Sequence, residues 1–348
     1  MRFLVCVKSE YNAISYHRLK KPFEYLQKEG HHCDFIYNFT NDVVIEGYDY
    51  FVYNRSIGYG DADFGLLEKI KSQGIKIIID VDDLWELPEN HPIVWRTDVD
   101  YNGWKNNFLM NIAFADYVWT STDYLKMIIE DHFTNKPVVV VKNAIDYDDP
   151  QWMDNKGKKK NKNKTVIGYA GSTTHYGDLD QMKTPLRRLN RNKYVKRNMV
   201  FQLSGTDFIN DYGKKVWHHQ LGIFTDDGKN NNVFISGGVR VNQYARFFDQ
   251  MDIVIAPLLE NEFNKCKSEL KVLEAGSKWL PFVGSDIITF SRTGANIDLC
   301  STDDEWVESL LELTLDKYLR EMLGKELGEY VRDVYRIDKE NQARLSIL

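Results

Sequence analysis

Residues 253–286, IVIAPLLENEFNKCKSELKVLEAGSKWLPFVGSD, constrain the fold more than any other stretch of this chain. Apolar runs of strand length at 253–258 and 280–284 flank a segment, about 264–278, with helical spacing. Strand, helix and strand in that order make half of an open parallel sheet of the kind that binds nucleotides. On the helix, Lys267, Lys271, Glu274 and Lys278 follow at intervals of four, three and four, which a 3.6-residue period puts on one face. Leu270, Leu273 and Ser277 fall on another side, where the leucines can pack on the sheet. Free amides at a helix start, the positive end of its dipole and lysine ammonium groups favour a diphosphate, and a carboxylate further along can accept two ribose hydroxyls. The same spacing also fits an ordinary exposed Lys271–Glu274 pair worth a few tenths of a kcal/mol.

The chain has 348 residues, enough for two domains of about 150 to 180 residues with a core each. A net charge of −6 argues against a generally basic nucleic-acid coat and leaves room for a local basic patch. Cys6, Cys33, Cys266 and Cys300 are scattered without zinc or C-x-x-C spacing, so free thiols in a reducing cytoplasm are expected. The opening MRFLVCVKSE turns charged by Lys8 and reads as a first strand, not as a signal peptide. No stretch approaches the eighteen or more apolar residues of a membrane span.

In chain order, strands are expected at 3–7, 33–37 and 50–53, with helices at 21–30 and 66–73, a βαβα pattern. The first loop, 8–17, has no glycine, so any ligand contact there is made by side chains. Tyr16, His17 and Arg18 are the candidates, Arg18 foremost for an anion or acceptor contact; a helix start before Pro22 is the plainer alternative. Residues 75–92, IKIIIDVDDLWELPENHP, form a β-branched run ending in Asp80, Asp82 and Asp83, where ligands of parallel sheets lie. These carboxylates can hold a cation, accept from sugar hydroxyls or cap the next segment. His91 closes that loop as a further candidate.

The lysine run from Lys156 to Lys164 reads as a solvated linker, with nucleic acid or an anionic membrane surface as alternative partners. After it, a strand at 165–170 leads into Gly171, Ser172, Thr173, Thr174 and His175, small residues whose amides can approach a phosphate. Asp178 falls in the first turn of the following helix as a simple cap. A helix over 184–197 carries Arg187, Arg188, Arg191, Lys193, Lys196 and Arg197. Strands at 199–203 and 233–235 lead to Ser204-Gly205 and to a helix containing Tyr244.

Four motifs resemble one family: F-N-x-C-K-S-x-L-K-x-L-E from Phe263 to Glu274, D-x-D-D-L-W-x-L-P from Asp80, A-D-x-V-x-x-S-T-x-x-L … V-x-x-N-x-I-D ending in Asn143, Ile145 and Asp146, and G-S-x-x-H at Gly171 to His175. They are similar to retaining group-1 glycosyltransferases of the two-Rossmann, B-type fold (GT-B), in the variant of phage and polysaccharide transferases. Where many members carry a first acidic residue, eight positions before Glu274, this chain has Cys266. The resemblance implies two Rossmann-like doubly wound α/β domains facing a cleft. Residues 1–146 would be the acceptor side, 147–164 a linker, 165–330 the donor domain, and 331–348 a helix packing back on the first domain.

It further implies a nucleotide-diphosphate sugar donor, UDP-sugar favoured, with no divalent metal expected; Asp80-Val81-Asp82 is not read as the metal-binding D-x-D of A-type transferases. Lys267, Lys271, His91 and Asp82 would be catalytic. Gly171, Ser172, Thr173, His175, Ser204, Gly205, Tyr244, Ser268 and Glu274 would bind donor, with Tyr16, Arg18, Asp80 and Asp83 on the acceptor side. The acceptor is expected to be a glycan, or alternatively a protein or a modified base in DNA, the last through Lys156–Lys164 and Arg187–Arg197. A sugar-nucleotide epimerase and a non-catalytic sugar-nucleotide or partner-binding protein are the rival readings, the second supported by Cys266 and the glycine-free first loop.

Overall fold

In the computed structural model, residues 1–8, 12–37, 43–57, 61–91, 93–94, 98–153, 164–206, 211–226 and 228–348 are described. The apolar runs of the first half become β1 (Arg2–Cys6), β2 (His32–Ile36), β3 (Tyr50–Asn54), β4 (Lys76–Val81), β5 (Tyr117–Thr120) and β6 (Val138–Val140). Those of the second half become β7 (Thr165–Ala170), β8 (Met199–Thr206), β9 (Val233–Gly237), β10 (Ile253–Ala256), β11 (Phe282–Ser285) and β12 (Asp298–Cys300). They form two six-stranded sheets, ordered β2-β1-β3-β4-β5-β6 and β9-β8-β7-β10-β11-β12. Every pairing is parallel, which requires a crossover between neighbours and leaves both faces to be covered by helices. Strand β10 is accordingly buried along its whole length.

Each sheet starts in its interior and winds outward in two directions. The order reverses between β1 and β3 in the first sheet and between β7 and β10 in the second, and the crevice beyond the carboxyl ends of such strands receives ligands. The fold thus fixes two facing positions before any side chain is considered.

The C-terminal helix Ile337–Leu345 lies on the first sheet's helical layer. Asn341 Nδ2 donates to the Pro22 carbonyl (3.0 Å), and the Lys142 amide donates to Glu340 Oε2 (2.6 Å). The preceding helix, Lys317–Val334, packs on Leu270–Ser277 so closely that a Cβ on Gly276 would stand 2.8 Å from Val331. Arg332 seals that crossing by donating to the carbonyls of Gly276 (3.2 Å) and Ser277 (3.0 Å), which a helix end leaves unpaired.

Three expected elements differ. The continuous helix over 264–278 is two helices, Glu262–Cys266 and Leu270–Ser277. Asn261 caps the first by accepting from the Asn264 amide (2.8 Å), and Lys267 is extended (φ −63°, ψ 148°), with the Arg292 guanidinium taking the freed Lys265 and Lys267 carbonyls. The basic helix over 184–197 is broken at Asn192, whose side chain caps a second helix through Tyr194 N and Val195 N. The end of the expected first loop falls in a π-helical turn, Ser15–Lys20, that runs straight into Lys21–Lys28, so Pro22 lies inside a continuous helical run and the Arg18 carbonyl, four residues back, accepts from Arg344 NH2 (3.3 Å) instead. Residues 154–163, which hold most of the expected lysine linker, lie outside the described residues. No described helix is long and apolar enough to cross a membrane.

Candidate active site

A cleft of about 410 Å³ opens where the two switch points face each other. From the second sheet come Gly171 and Ser172 after β7, Gly205 in β8, Gly238 after β9 and Pro257 after β10. From the first come Arg55 after β3, Asp82 and Asp83 after β4, and Asn143 beyond β6.

The wall at Gly171 is built from backbone. Its amide donates to the Ser204 carbonyl (3.2 Å), and a Cβ on Gly205, whose φ is +91°, would meet the Gly171 carbonyl at 2.2 Å. Only glycine satisfies both the left-handed backbone and the contact. Ser204 itself is fully buried, its hydroxyl accepting from Gln202 Nε2 (2.8 Å), so it supports this wall without lining it.

The helix Leu270–Ser277 supplies the charged floor. Lys271 Nζ donates to Glu274 Oε2 (2.7 Å) and to the Tyr244 hydroxyl, which in turn donates to Glu274 Oε2 (3.3 Å). Glu274 is 2% exposed. Burial raises its carboxyl above the usual range against the pull of Lys271 and Tyr244. Lys278, expected on the same face, turns away to Gln151 O (2.6 Å) and Asp249 (3.2 Å), because its helix has already ended at Ser277.

The break at 267–269 hands the next two cleft residues to the other half. Lys267 Nζ lies 3.3 Å from Asp83 Oδ1 and over the Phe263 ring, while Ser268 Oγ accepts from Asn143 Nδ2 (2.5 Å). Thr122 Oγ1 donates to the Cys266 carbonyl (3.0 Å) and Tyr124 to Glu262 (2.5 Å), so the segment 262–268 is the bridge across the cleft. Cys266 is sealed inside that bridge at 0% exposure, away from the cleft lining.

Opposite, Arg55 at a left-handed φ of 58° grips two carboxylates: Nε and NH2 donate to Asp82 (both 2.7 Å), and NH2 also donates to Asp83 (2.5 Å). Burial alone would raise Asp82, but Arg55 and the Asn54 amide hold it well below the usual carboxylate range. Arg55 was not foreseen. A basic residue directly beyond a strand that borders the switch point was the available signal.

His175 lines the cleft with its Nδ1 2.9 Å from Asp178 Oδ2. Asp178 is no simple cap, since it also accepts from Leu259 N and Asn264 Nδ2 (both 2.9 Å), tying the loop after β10 to that after β7. His17 lines the cleft too, pushed down to about 4 by burial and by Lys271 and Lys21, and is therefore neutral at pH 7.

Other expected contacts lie elsewhere. Asp80 is fully buried beneath the site, paired with Arg18 (NH2 to Oδ1, 2.5 Å) and with Asn54 Nδ2 (2.9 Å), and does not line the cleft. Arg18 reaches the lining, but its guanidinium is taken by Asp80, the Val141 carbonyl (2.6 Å) and Asn143 Oδ1 (3.2 Å). The Tyr16 hydroxyl donates to Asp149, outside the cleft. His91 packs edge-on against Phe263 (centroids 5.5 Å apart), lines a separate small cavity with Asn90 and Asn264, and is pushed down to about 4 by burial and by Lys267. The Thr173 side chain lies outside the described residues. Among the described residues no group of three or more His, Cys, Asp or Glu is arranged to hold a metal ion.

No family model matches the chain, and no curated protein matches it in sequence. Solved structures do. Sucrose-phosphate synthase from Thermosynechococcus elongatus superposes with a TM-score of 0.67 at 10% identity, over 98% of this chain and 97% of its own. A UDP-forming α,α-trehalose-phosphate synthase from Burkholderia xenovorans gives 0.59 at 12% identity, over 97% and 84%. TarM of S. aureus, solved in complex with fondaparinux, α-GlcNAc-glycerol and UDP, gives 0.58 at 12% identity over 86% of this chain, which spans about 55% of that protein's length. The chain therefore has the GT-B fold, two Rossmann-like halves facing a cleft.

The Arg55 clamp yields a stability prediction. Asp82 and Asp83 are only 13% and 20% exposed, so Arg55→Ala is expected to destabilise by about 2–3 kcal/mol at pH 7, somewhat below the loss from a fully buried broken pair. A depressed carboxylate contributes stability above its unfolded pKa, near 3.9, and loses it as pH falls through the folded value. Denaturation of both proteins at pH 7 and pH 3.5 should show the deficit narrowing in acid; a pH-independent deficit would remove the electrostatic account.

Proposed function

We propose that this protein transfers a glycosyl group from a nucleotide-diphosphate sugar to an acceptor hydroxyl, with retention of anomeric configuration. The observation that carries the reading is the convergence of Lys271, Glu274 and Ser172 on one wall of a cleft whose opposite wall presents Asp82 and Asp83, with Lys267 reaching across to Asp83. Cations that converge before the donor arrives stabilise charge where it develops, on the departing diphosphate, without reorganisation in the transition state. Glu274, held by Lys271 and Tyr244, suits a ribose diol as hydrogen-bond acceptor. Ser268, His175 and Tyr244 complete the donor wall.

In this reaction the anomeric C–O bond breaks and its electron pair leaves with the diphosphate. The acceptor oxygen attacks from the same face, and its proton passes to a phosphate oxygen. No protein nucleophile is needed, and the lysines supply the positive charge, so transfer is proposed to proceed without added divalent metal. The acceptor is proposed to be a glycan, whose hydroxyls match Asp82 and Asp83. The UDP-forming synthase among the structural neighbours supports a UDP-sugar as the first donor to try. Because Cys266, eight positions before Glu274, is sealed in the bridge, the donor sugar is proposed to be held by other residues of the cleft.

Calorimetry and thermal shift against UDP, GDP, ADP, CMP and their common sugars, without metal and then with magnesium or manganese, test this. One nucleotide should bind selectively and metal-independently, and the binding should be lost in Glu274→Ala. Binding of none of them would end the transferase reading.

A further inference from the structure

The cleft lies at the carboxyl ends of the second sheet's strands, and a second concavity lies at the opposite edge. The helices Lys183–Arg191 and Lys193–Asn198 lead into the start of β8, and the turn after Asp211–Thr225 leads into the start of β9. Between them is a cavity of about 460 Å³ lined by Arg187, Asn190, Arg191, Lys196, Asp226 and Lys229. Four cations face one carboxylate there, on a chain whose net charge is −6, so the concentration of positive charge is local. Asp226 pairs with Arg187 Nε (2.8 Å). Lys196 Nζ donates to the Lys229 carbonyl (3.1 Å), which draws the two basic segments together.

One further observation points to a ligand. Asn190 is 8% exposed, and among the described residues neither its amide nitrogen nor its oxygen has a hydrogen-bond partner, whereas buried amides are ordinarily paired. Lys164, the last residue of the lysine run, donates to Asn232 Oδ1 (3.1 Å), and Asn232 Nδ2 donates to the Lys196 carbonyl (2.6 Å). Lys164 is thereby joined through Asn232 to the basic helix pair at this edge of the sheet.

We infer that this cavity is a phosphoryl-binding site distinct from the cleft. A guanidinium fork at Arg191 and ammonium groups at Lys196 and Lys229 match a tetrahedral anion with several acceptor oxygens, and Asn190 Nδ2 is a spare donor on the same wall. The phosphoryl group can belong to a small phosphomonoester or to the backbone of a nucleic acid. The inference does not depend on what the cleft binds.

The test uses the full chain and inorganic phosphate at constant ionic strength, with chloride as the balancing anion. Arg191 and Lys229 are both exposed, so Arg191→Gln with Lys229→Gln leaves the core intact. Calorimetry should give saturable phosphate binding in the wild type and in Glu274→Gln, weakened at least tenfold in the Arg191→Gln/Lys229→Gln protein. Binding that is absent, or that persists undiminished in that double variant, overturns the site. Displacement of phosphate by a hexose phosphate assigns a small-molecule source. Displacement by a short single-stranded oligonucleotide, with affinity falling steeply in salt, assigns a nucleic-acid backbone.

Discussion

Lys271→Ala is expected to lower turnover of the nucleotide-sugar donor by about 10²-fold or more, the loss that follows removal of one preorganised charge donor. The substitution removes more than a cation. Lys271 is the ion-pair partner of Glu274 and also donates to Tyr244, so its loss leaves a carboxylate that is 2% exposed with the Tyr244 phenol as its one remaining side-chain partner among the described residues. Glu274→Gln separates the two roles. Burial raises the Glu274 carboxyl, and a raised group contributes stability below its unfolded pKa, near 4.3, that is lost as pH rises through the folded value. At pH 7 the buried Glu274 carboxyl therefore weighs against the empty fold. Glu274→Gln should melt at a higher temperature than the wild type at pH 7, with the difference closing towards pH 4, while donor affinity falls at least tenfold, about 1.4 kcal/mol. A stabilised variant that no longer binds donor is the signature of a residue kept for function. Wild-type donor affinity in Glu274→Gln together with wild-type turnover in Lys271→Ala would show that the donor lies elsewhere.

Much of this architecture was legible because parallel strands, covered on both faces, read as unbroken apolar runs. Residues 253–258 and 75–80 could be placed as strands without any partner, and the chemistry-bearing residues directly beyond them, Asp82 and Asp83 among them, do line the cleft. Lys267, Lys271 and Glu274 also come together, though not for the reason their spacing suggests. A single helix would have set Lys267 one turn above Lys271; instead Asn261 starts a helix early, Arg292 takes the carbonyls where it stops, and Lys267 emerges from the break towards Asp83. Periodicity cannot see such a break, because the residues that make it are a cap before the segment and a side chain from 25 positions after Lys267.

Depth was the other illegible quantity. Asp80 and Asp82 look alike in the sequence, yet Asp80 is sealed under the cleft and Asp82 faces it, and what divides them is Arg18 and Arg55 reaching in from earlier segments. Arg55 and Asn143 belong to the site through pairings, across the first sheet to Asp82 and across the cleft to Ser268, that no local pattern encodes.

That burial carries the second large effect. Arg18→Met is expected to destabilise the protein by about 3–5 kcal/mol, the cost of breaking a buried ion pair from one side. Arg18 is 2% exposed and Asp80 0%, and apart from the Asn54 amide the Asp80 carboxylate has no other side-chain donor described. The C-terminal helix is involved as well, since Arg344 NH2 donates to the Arg18 carbonyl (3.3 Å) and Arg344 is itself buried. Arg18→Met with Asp80→Asn removes both charges and should recover much of the loss, because neither member of the pair is then left as an ion without its partner. The measurement also decides between two roles for Arg18. If it were an acceptor contact, Arg18→Met would raise the acceptor KM at unchanged stability, and adding Asp80→Asn would restore nothing. If it is the keystone beneath the cleft, denaturation shows the large single-variant loss and the recovery in the pair, and the recovered protein regains acceptor affinity along with its fold.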